Sequence, residues 1–244
     1  MVPSVYDLRE FYKTRRGRIV RRVLVERIRD LWPDVHGLRV MGAGYAVPYL
    51  RGLLEEAERG FSVMYDGGGV HEWPLNEANL VCLSEEGGLP FETNSVDRIV
   101  VMHGVEFSDR AAAALEEIWR VLKSNGRMLV VVPHRGGFWS RADKTPFGHG
   151  TPYSGRQIKG LLRQCLFVHE RSCGALYLPP FLSGVRGMRW FERFGQRFLP
   201  FGAGVHIVEV SKQLYAEARP GGGSRVGVGS VVPRPVIEGI NLFL

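Results

Sequence analysis

Gly37-Leu38-Arg39-Val40-Met41-Gly42-Ala43-Gly44-Tyr45-Ala46 carries an apolar run into two glycines separated by one small residue. A helix-compatible segment, Pro48 to Ala57, follows directly. Strand, glycine turn and helix, in that order, let a nucleotide-like ligand lie against bare backbone at a helix N-terminus. Gly42 and Gly44 are expected to supply the turn conformation and the close approach that a Cβ would block. A tight turn without a ligand has the same local pattern, so the rest of the chain has to decide between the two.

The remainder repeats the strand–helix alternation. Phe61–Tyr65 reads as a second strand that stops at Asp66-Gly67-Gly68-Gly69, Ala78–Leu83 as a third, and Ser95–His103 contains a fourth. Asp109 is expected to N-cap a helix with Ala112, Leu115, Ile118, Trp119 and Leu122 on one side, closing at Ser124-Asn125-Gly126. Arg127–Pro133 is the fifth strand, and Ser154 is expected to cap a helix bearing Ile158, Leu161, Leu162 and Cys165. Val168–Tyr177 and Gly204–Val210 are a last pair of strands with a helix over Arg186–Phe198 between them, closing the sheet with an antiparallel edge strand. Continuous apolar strands separated by helices argue a mostly parallel sheet covered on both faces. The fold class is therefore α/β: a doubly wound, Rossmann-like sheet of seven strands, the last antiparallel.

Ahead of this body, Tyr6–Tyr12 and the stretch carrying Ile19, Val20, Val23, Leu24, Ile28 and Leu31 read as two helices ending at Trp32-Pro33. The expected organisation is one domain over 1–216, with N-terminal helices in 1–33, and a Gly/Pro-rich tail over 217–244. A chain of 244 residues, 45% hydrophobic and 23% charged, has ample material for that core. The N-terminus lacks the charged-then-apolar build of a signal peptide, and no run approaches a membrane span. Cys82, Cys165 and Cys173 have no CxxC spacing, so neither a disulfide framework nor a metal site is indicated, and a soluble cytoplasmic protein is expected. The formal net charge of +7 is concentrated between Arg9 and Arg29. A solvated helix face is favoured there over a footprint for RNA or an acidic membrane, because aromatic residues are not interleaved through the densest part.

Four segments taken together carry a family likeness: Val40-Met41-Gly42-Ala43-Gly44, Leu89-Pro90-Phe91, Ser95–Val100 and Glu117-Ile118-Trp119-Arg120-Val121-Leu122-Lys123-Ser124-Asn125-Gly126-Arg127. In order and spacing this set resembles the class I S-adenosylmethionine-dependent methyltransferases, in particular the methyltransferase type 11 group. The resemblance covers about Leu38 to Val132 and, more loosely, the Ser154–Phe167 helix. It implies S-adenosylmethionine as cofactor, held over the carboxyl ends of the early strands. It implies that Gly42, Ala43 and Gly44 meet the amino-acid and ribose end, Asp66 the ribose hydroxyls, and Glu85 or Glu86 the adenine amine. His103, ending the fourth strand, would lie near the sulfonium and the acceptor. The chain departs from the pattern at Val40, where the family usually has an acidic residue, and at Ala46, where it usually has glycine.

Methyl transfer from a sulfonium is an in-line displacement that needs positioning above all, and a base only if the acceptor keeps its proton until late. His103 and Tyr153 are the catalytic candidates, with His149 ranked beside Tyr153 on the acceptor side, and Glu106 expected to pair with a histidine or to cap the Asp109 helix. The chain has no Asn/Asp-Pro-Pro-Tyr/Phe tetrapeptide for an exocyclic amine and no Pro-Cys nucleophile for cytosine C5. A small-molecule acceptor is the leading expectation. The alternatives are a methyltransferase-like domain with weak or lost cofactor binding that serves as a binding or regulatory partner, and an RNA methyltransferase.

Overall fold

The computed structural model describes residues 3–180, 192, 194, 195, 197 and 202–213. The tail from Glu217 and most of the helix expected over Arg186–Phe198 lie outside the described residues. The elements in chain order are α1 (Val5–Lys13), α2 (Arg15–Leu31), β1 (Arg39–Gly44), α3 (Val47–Leu54), β2 (Arg59–Tyr65), β3 (Val81–Ser84), β4 (Val96–Met102), α4 (Ala111–Val121), β5 (Leu122–Pro133), α5 (Gly155–Gln164), β6 (Phe167–Ala175) and β7 (Val205–Lys212).

The seven strands form one sheet in the order β3-β2-β1-β4-β5-β7-β6, parallel from β3 to β5 and antiparallel at both β7 pairings. The last strand is antiparallel as expected, but it is not at the edge: β7 inserts between β5 and β6, and β6 is the outer strand. Each central strand divides its side chains between two cores. Val40, Val100, Met102, Leu129 and Val131 face the layer of α1, α2 and α3, while Met41, Ile99, Val101, Met128 and Val130 face α4 and α5. A sheet buried on both faces has no polar alternation, which is why these strands read as continuous apolar runs.

Local chemistry moves several element boundaries. The third strand begins at Val81 rather than Ala78: the Asn79 side chain turns onto Val81, accepting from its N and donating to its O (3.1 and 3.0 Å), while Leu80 O still accepts from Ser62 N of β2 at 2.8 Å. The α4 N-cap is Arg110, not Asp109, and no side chain caps it. Instead Ser108 Oγ accepts from Arg110 N at 3.0 Å. Leu122 leaves the helix because it pairs with Val96 at the start of β5, and Asn125 takes its left-handed conformation (φ 63) inside that strand. Ser154 does cap α5, in a reciprocal box with Gln157.

The N-terminal helices dock on this scaffold. α2 lays Val20, Leu24 and Ile28 on the sheet and leaves Arg15, Arg18, Arg21 and Arg22 exposed. Its end is tied down by Trp32, whose Nε1 donates at 2.7 Å to Glu209, a buried carboxylate in β7 that also pairs with Arg171 and Arg127. A second buried ion in β7, Lys212, finishes α4. Its Nζ donates to Leu122 O (2.8 Å), Arg120 O (3.3 Å) and Asn94 Oδ1 (2.7 Å), and it sits 4.1 Å from the Trp119 ring centroid. A cation on the last carbonyls of a helix satisfies orphan acceptors and opposes the dipole's negative end. Lys212→Met should therefore cost about 1–3 kcal/mol, roughly 2–12 °C in melting temperature at this chain length. A thermal scan with no shift would show that α4 closes without that lysine.

Candidate active site

The carboxyl ends of β1, β2, β3 and β4 meet at a cavity of about 620 Å³. That is within the range of a small-molecule or cofactor site, and it lies where open α/β sheets place their ligands. Gly44, Tyr45, Met64–Gly68, Glu85–Gly87 and His103–Gly104 form its floor and sides, with Phe107, Asp109 and Arg110 beyond β4. Pro3, ahead of α1, and Val5 and Leu8 within it complete the lining.

The two glycines of the opening motif do different work. Gly44 has φ +73 and ends β1 on the cavity wall, where a Cβ would meet Met102 O at 2.5 Å and Gly104 backbone at 3.0 Å. Gly42 lies within β1, off the cavity wall, and a Cβ there would strike Leu50 Cδ1 at 2.7 Å and Ala46 Cβ at 2.8 Å. It is a packing glycine that lets α3 close on the sheet. Ala43 likewise lies off the wall, fully buried toward α4 and α5. The sequence reading gave both glycines the same turn role, and only Gly44 has it. A larger residue at Gly44 would thus disturb the β1–β4 seam before it touched any ligand. Ala46 has φ −89 and ψ −12, an ordinary helical conformation, so glycine is not required there. Val40 is fully buried in the apolar core under the N-terminal helices, where a lone carboxylate would find no partner.

Among the described residues, Asp66, Glu85 and Glu86 all stand on the cavity wall, with Asp109 as a fourth carboxylate against the one guanidinium of Arg110. Asp66 follows β2 directly and accepts from Gly67 N at 2.9 Å. Glu86 accepts a hydrogen bond from Ser108 Oγ, which bridges it to the start of α4. The wall as a whole favours a cationic ligand.

His103 is held in the left-handed region (φ 51), and its side chain has no exposed surface. It therefore meets the cavity through its backbone, while the ring turns beneath α1. Tyr49 O–H donates to Tyr12 Oη (2.5 Å), and Tyr12 Oη lies 2.7 Å from His103 Nε2. With Tyr12's own proton directed to Nε2, the imidazole carries its hydrogen on Nδ1 and donates it to Glu106 Oε1 at 3.0 Å. The Glu106–histidine pairing expected from sequence is thus with His103. Phe107 and Phe147 pack on the ring at 5.9 and 5.0 Å, and Tyr12 stacks on Tyr45 at 5.9 Å. Burial, reinforced by Tyr49, pushes the Tyr12 phenol well up, and burial pushes Tyr45 up to about 12, so both keep their protons at neutral pH.

Tyr153 stands apart from this cavity. It pairs through its backbone with the end of β5, accepting from Arg135 N and donating to Pro133 O (3.0 and 2.9 Å). Its phenol is raised by burial and then by the charge of Glu106. His149 is also off the wall, its Nε2 at 2.8 Å from Asp143 O. Tyr12 and Tyr49 were missed from sequence, since nothing in their spacing shows that Tyr49 bonds to Tyr12 and Tyr12 to a histidine 91 residues further along.

Residues 69–130 match the family model of the methyltransferase domain. A SAM-dependent methyltransferase of Thermotoga maritima superimposes with a TM-score of 0.61 at 15% identity, covering 86% of this chain and 96% of that one. Another from Aquifex aeolicus gives 0.52 at 18% identity, over 83% and 95%. A complex of the Haloferax volcanii Trm112 methyltransferase activator with a methyltransferase gives 0.53 at 17% identity, over 75% and 86%. The fold is that of the class I methyltransferases. No curated protein sequence matches the chain. The matched segment of this methyltransferase fold begins after Gly44 and Asp66 and takes in Glu85, Glu86, His103 and the whole of α4.

The buried chain from Tyr49 to Glu106 makes a stability prediction. Tyr12→Phe strands both the Tyr49 hydroxyl and His103 Nε2, at a cost of about 1–3 kcal/mol each way the network fails to relax. Tyr49→Phe leaves the Tyr12–His103 bond intact. Denaturant melts should therefore rank Tyr12→Phe clearly below Tyr49→Phe, and equal stabilities would contradict the bond directions given above.

Proposed function

We propose that the chain is an S-adenosylmethionine-dependent methyltransferase acting on a small-molecule acceptor. The observation that carries the reading is the acidic cavity at the carboxyl ends of β1, β2 and β4, walled on one side by the bare backbone of Gly44 and Gly104. The residues present fit the cofactor: bare backbone at Gly44 admits close approach, and the carboxylates suit a ligand with a sulfonium and an ammonium. Asp66 would accept from the ribose hydroxyls, and Glu85 or Glu86 from the adenine amine. The bound cofactor would supply the electrophilic methyl group.

The chain's own contribution is positioning and exclusion of water. α1 roofs the cavity with Val5 and Leu8, and Phe107 adds an apolar wall, so an acceptor beside the reactive centre sits in an apolar surround. Both nitrogens of His103 are engaged. His103 would act as a base only with Tyr12 withdrawn, and as it stands it holds the β4–α4 turn in place. An acceptor that reacts as a neutral amine or sheds its proton to water needs no more.

A second reading is favoured by Val40: a methyltransferase-like domain with weakened cofactor binding that serves as a partner. Titration calorimetry with S-adenosylmethionine and S-adenosylhomocysteine separates the two. The first reading expects micromolar dissociation constants and a loss of about 10-fold or more in Asp66→Asn, a charge-assisted bond lost. No heat, and no competition between the two ligands, favours the second.

A further inference from the structure

Tyr65 closes β2, one residue before Asp66, and stands on the cavity wall. Only 9% of it is exposed, and its ring belongs to the apolar cluster of Leu89, Val101 and Val105. Its Oη is buried and has no hydrogen-bond partner. A Cβ on Gly104 would lie 3.3 Å from the ring, so the ring is held under the same bare turn that walls the cavity. Burial, and then the charge of Glu86, push its pKa up, so the phenol stays protonated and remains a donor. Glu86 does not take that proton in a hydrogen bond, and its own Oε2 accepts from Ser108 Oγ.

An unpartnered buried hydroxyl is a net cost to a fold, and phenylalanine would fill the same space without it. A hydroxyl kept at the wall of a cavity under that penalty finds its use in a partner that arrives with the ligand. The carboxylate alongside fixes what that partner must look like, since Glu86 can only accept and Tyr65 donates. We propose that Tyr65 is a specificity residue of the cavity, donating to a ring nitrogen of the bound ligand while Glu86 accepts from the exocyclic amine beside it, the edge of an aminopurine. The inference rests on the cofactor reading of the cavity and adds to it the group that distinguishes an amino from an oxo purine.

The test compares wild type with Tyr65→Phe, by calorimetry with S-adenosylhomocysteine and with its inosine counterpart, in which the amine becomes a carbonyl and the ring nitrogen carries a proton. Melting of both proteins without ligand completes it. The wild type should bind the adenosyl ligand at least about 10-fold more tightly than the inosyl one, and Tyr65→Phe should lose about 3–10-fold for the adenosyl ligand and narrow that preference. Its melting temperature without ligand should be unchanged or higher, the opposite of what removing a structural hydrogen bond does. Equal adenosyl affinity in the two proteins overturns the assignment of Tyr65 and leaves the cofactor reading standing, and so does a fall of several degrees in the ligand-free melt. A wild type that binds neither ligand overturns the cofactor reading and this assignment with it.

Discussion

The β1–β4 seam at Gly44 is the constraint on which the site depends. Tyr45 N donates to Met102 O at 2.7 Å, so the two strands stay bonded one residue past the end of β1. At that spacing a Cβ on Gly44 would stand 2.5 Å from the same carbonyl oxygen, and the φ of +73 is one that side chains rarely adopt. The strands converge, the chain turns sharply into α3, and the floor of the cavity is left as bare backbone. Everything around the cavity is placed relative to this seam: Asp66 and Tyr65 by the parallel β1–β2 register, Glu85 and Glu86 by the β2–β3 register, His103 and Gly104 by β4.

The polar interior is organised to hold the N-terminal helices on that frame. Tyr12 brings a hydroxyl from α1 to His103, Trp32 brings an indole N–H from the end of α2 to Glu209, and both acceptors are fully buried on the sheet side. Buried ions and polar groups add little net stability when satisfied, yet removing one partner is expensive, so such contacts specify a docking geometry more than they strengthen it. That geometry matters here because α1 forms one wall of the cavity. The left-handed conformation of His103 belongs to the same arrangement: it sends the ring under α1 while its backbone faces the ligand side. Sparsely populated backbone angles held by their surroundings are a common feature of functional turns.

Much of the fold was legible in the sequence because the sheet is buried on both faces. Strands β1, β2, β4 and β5 announce themselves as apolar runs, and α4 as a stripe of Leu115 and Ile118. What the sequence hides is whatever depends on distant partners. Nothing in the Val205–Lys212 pattern says that this strand slips between β5 and β6, or that Lys212 completes a helix ending about 90 residues earlier. Asp109 looks like a cap by residue type, but the N-cap is Arg110, whose N–H is taken by Ser108 Oγ. Within the site, the positions of Gly44, Asp66, Glu85 and Glu86 on one wall follow from strand order, which the family likeness supplies. The orientation of His103 does not, because it is decided by Tyr12 and Glu106 rather than by the strand it ends. Val40 and Ala46 depart from the ligand motif, and in the structure one is a core residue under α2 and the other stands at the start of a helix.

The central claim is that an adenosyl ligand lies on the Gly44–Gly104 backbone between Asp66 and Glu86. Hydrogen–deuterium exchange with and without saturating S-adenosylhomocysteine tests it directly, since amides under a bound ligand exchange more slowly whichever side chains hold it. The account predicts slowed exchange in peptides spanning 42–46, 64–68, 85–88 and 103–105, with β6 and β7 unchanged. Protection confined to other segments, or none in these four with ligand in large excess, would contradict it.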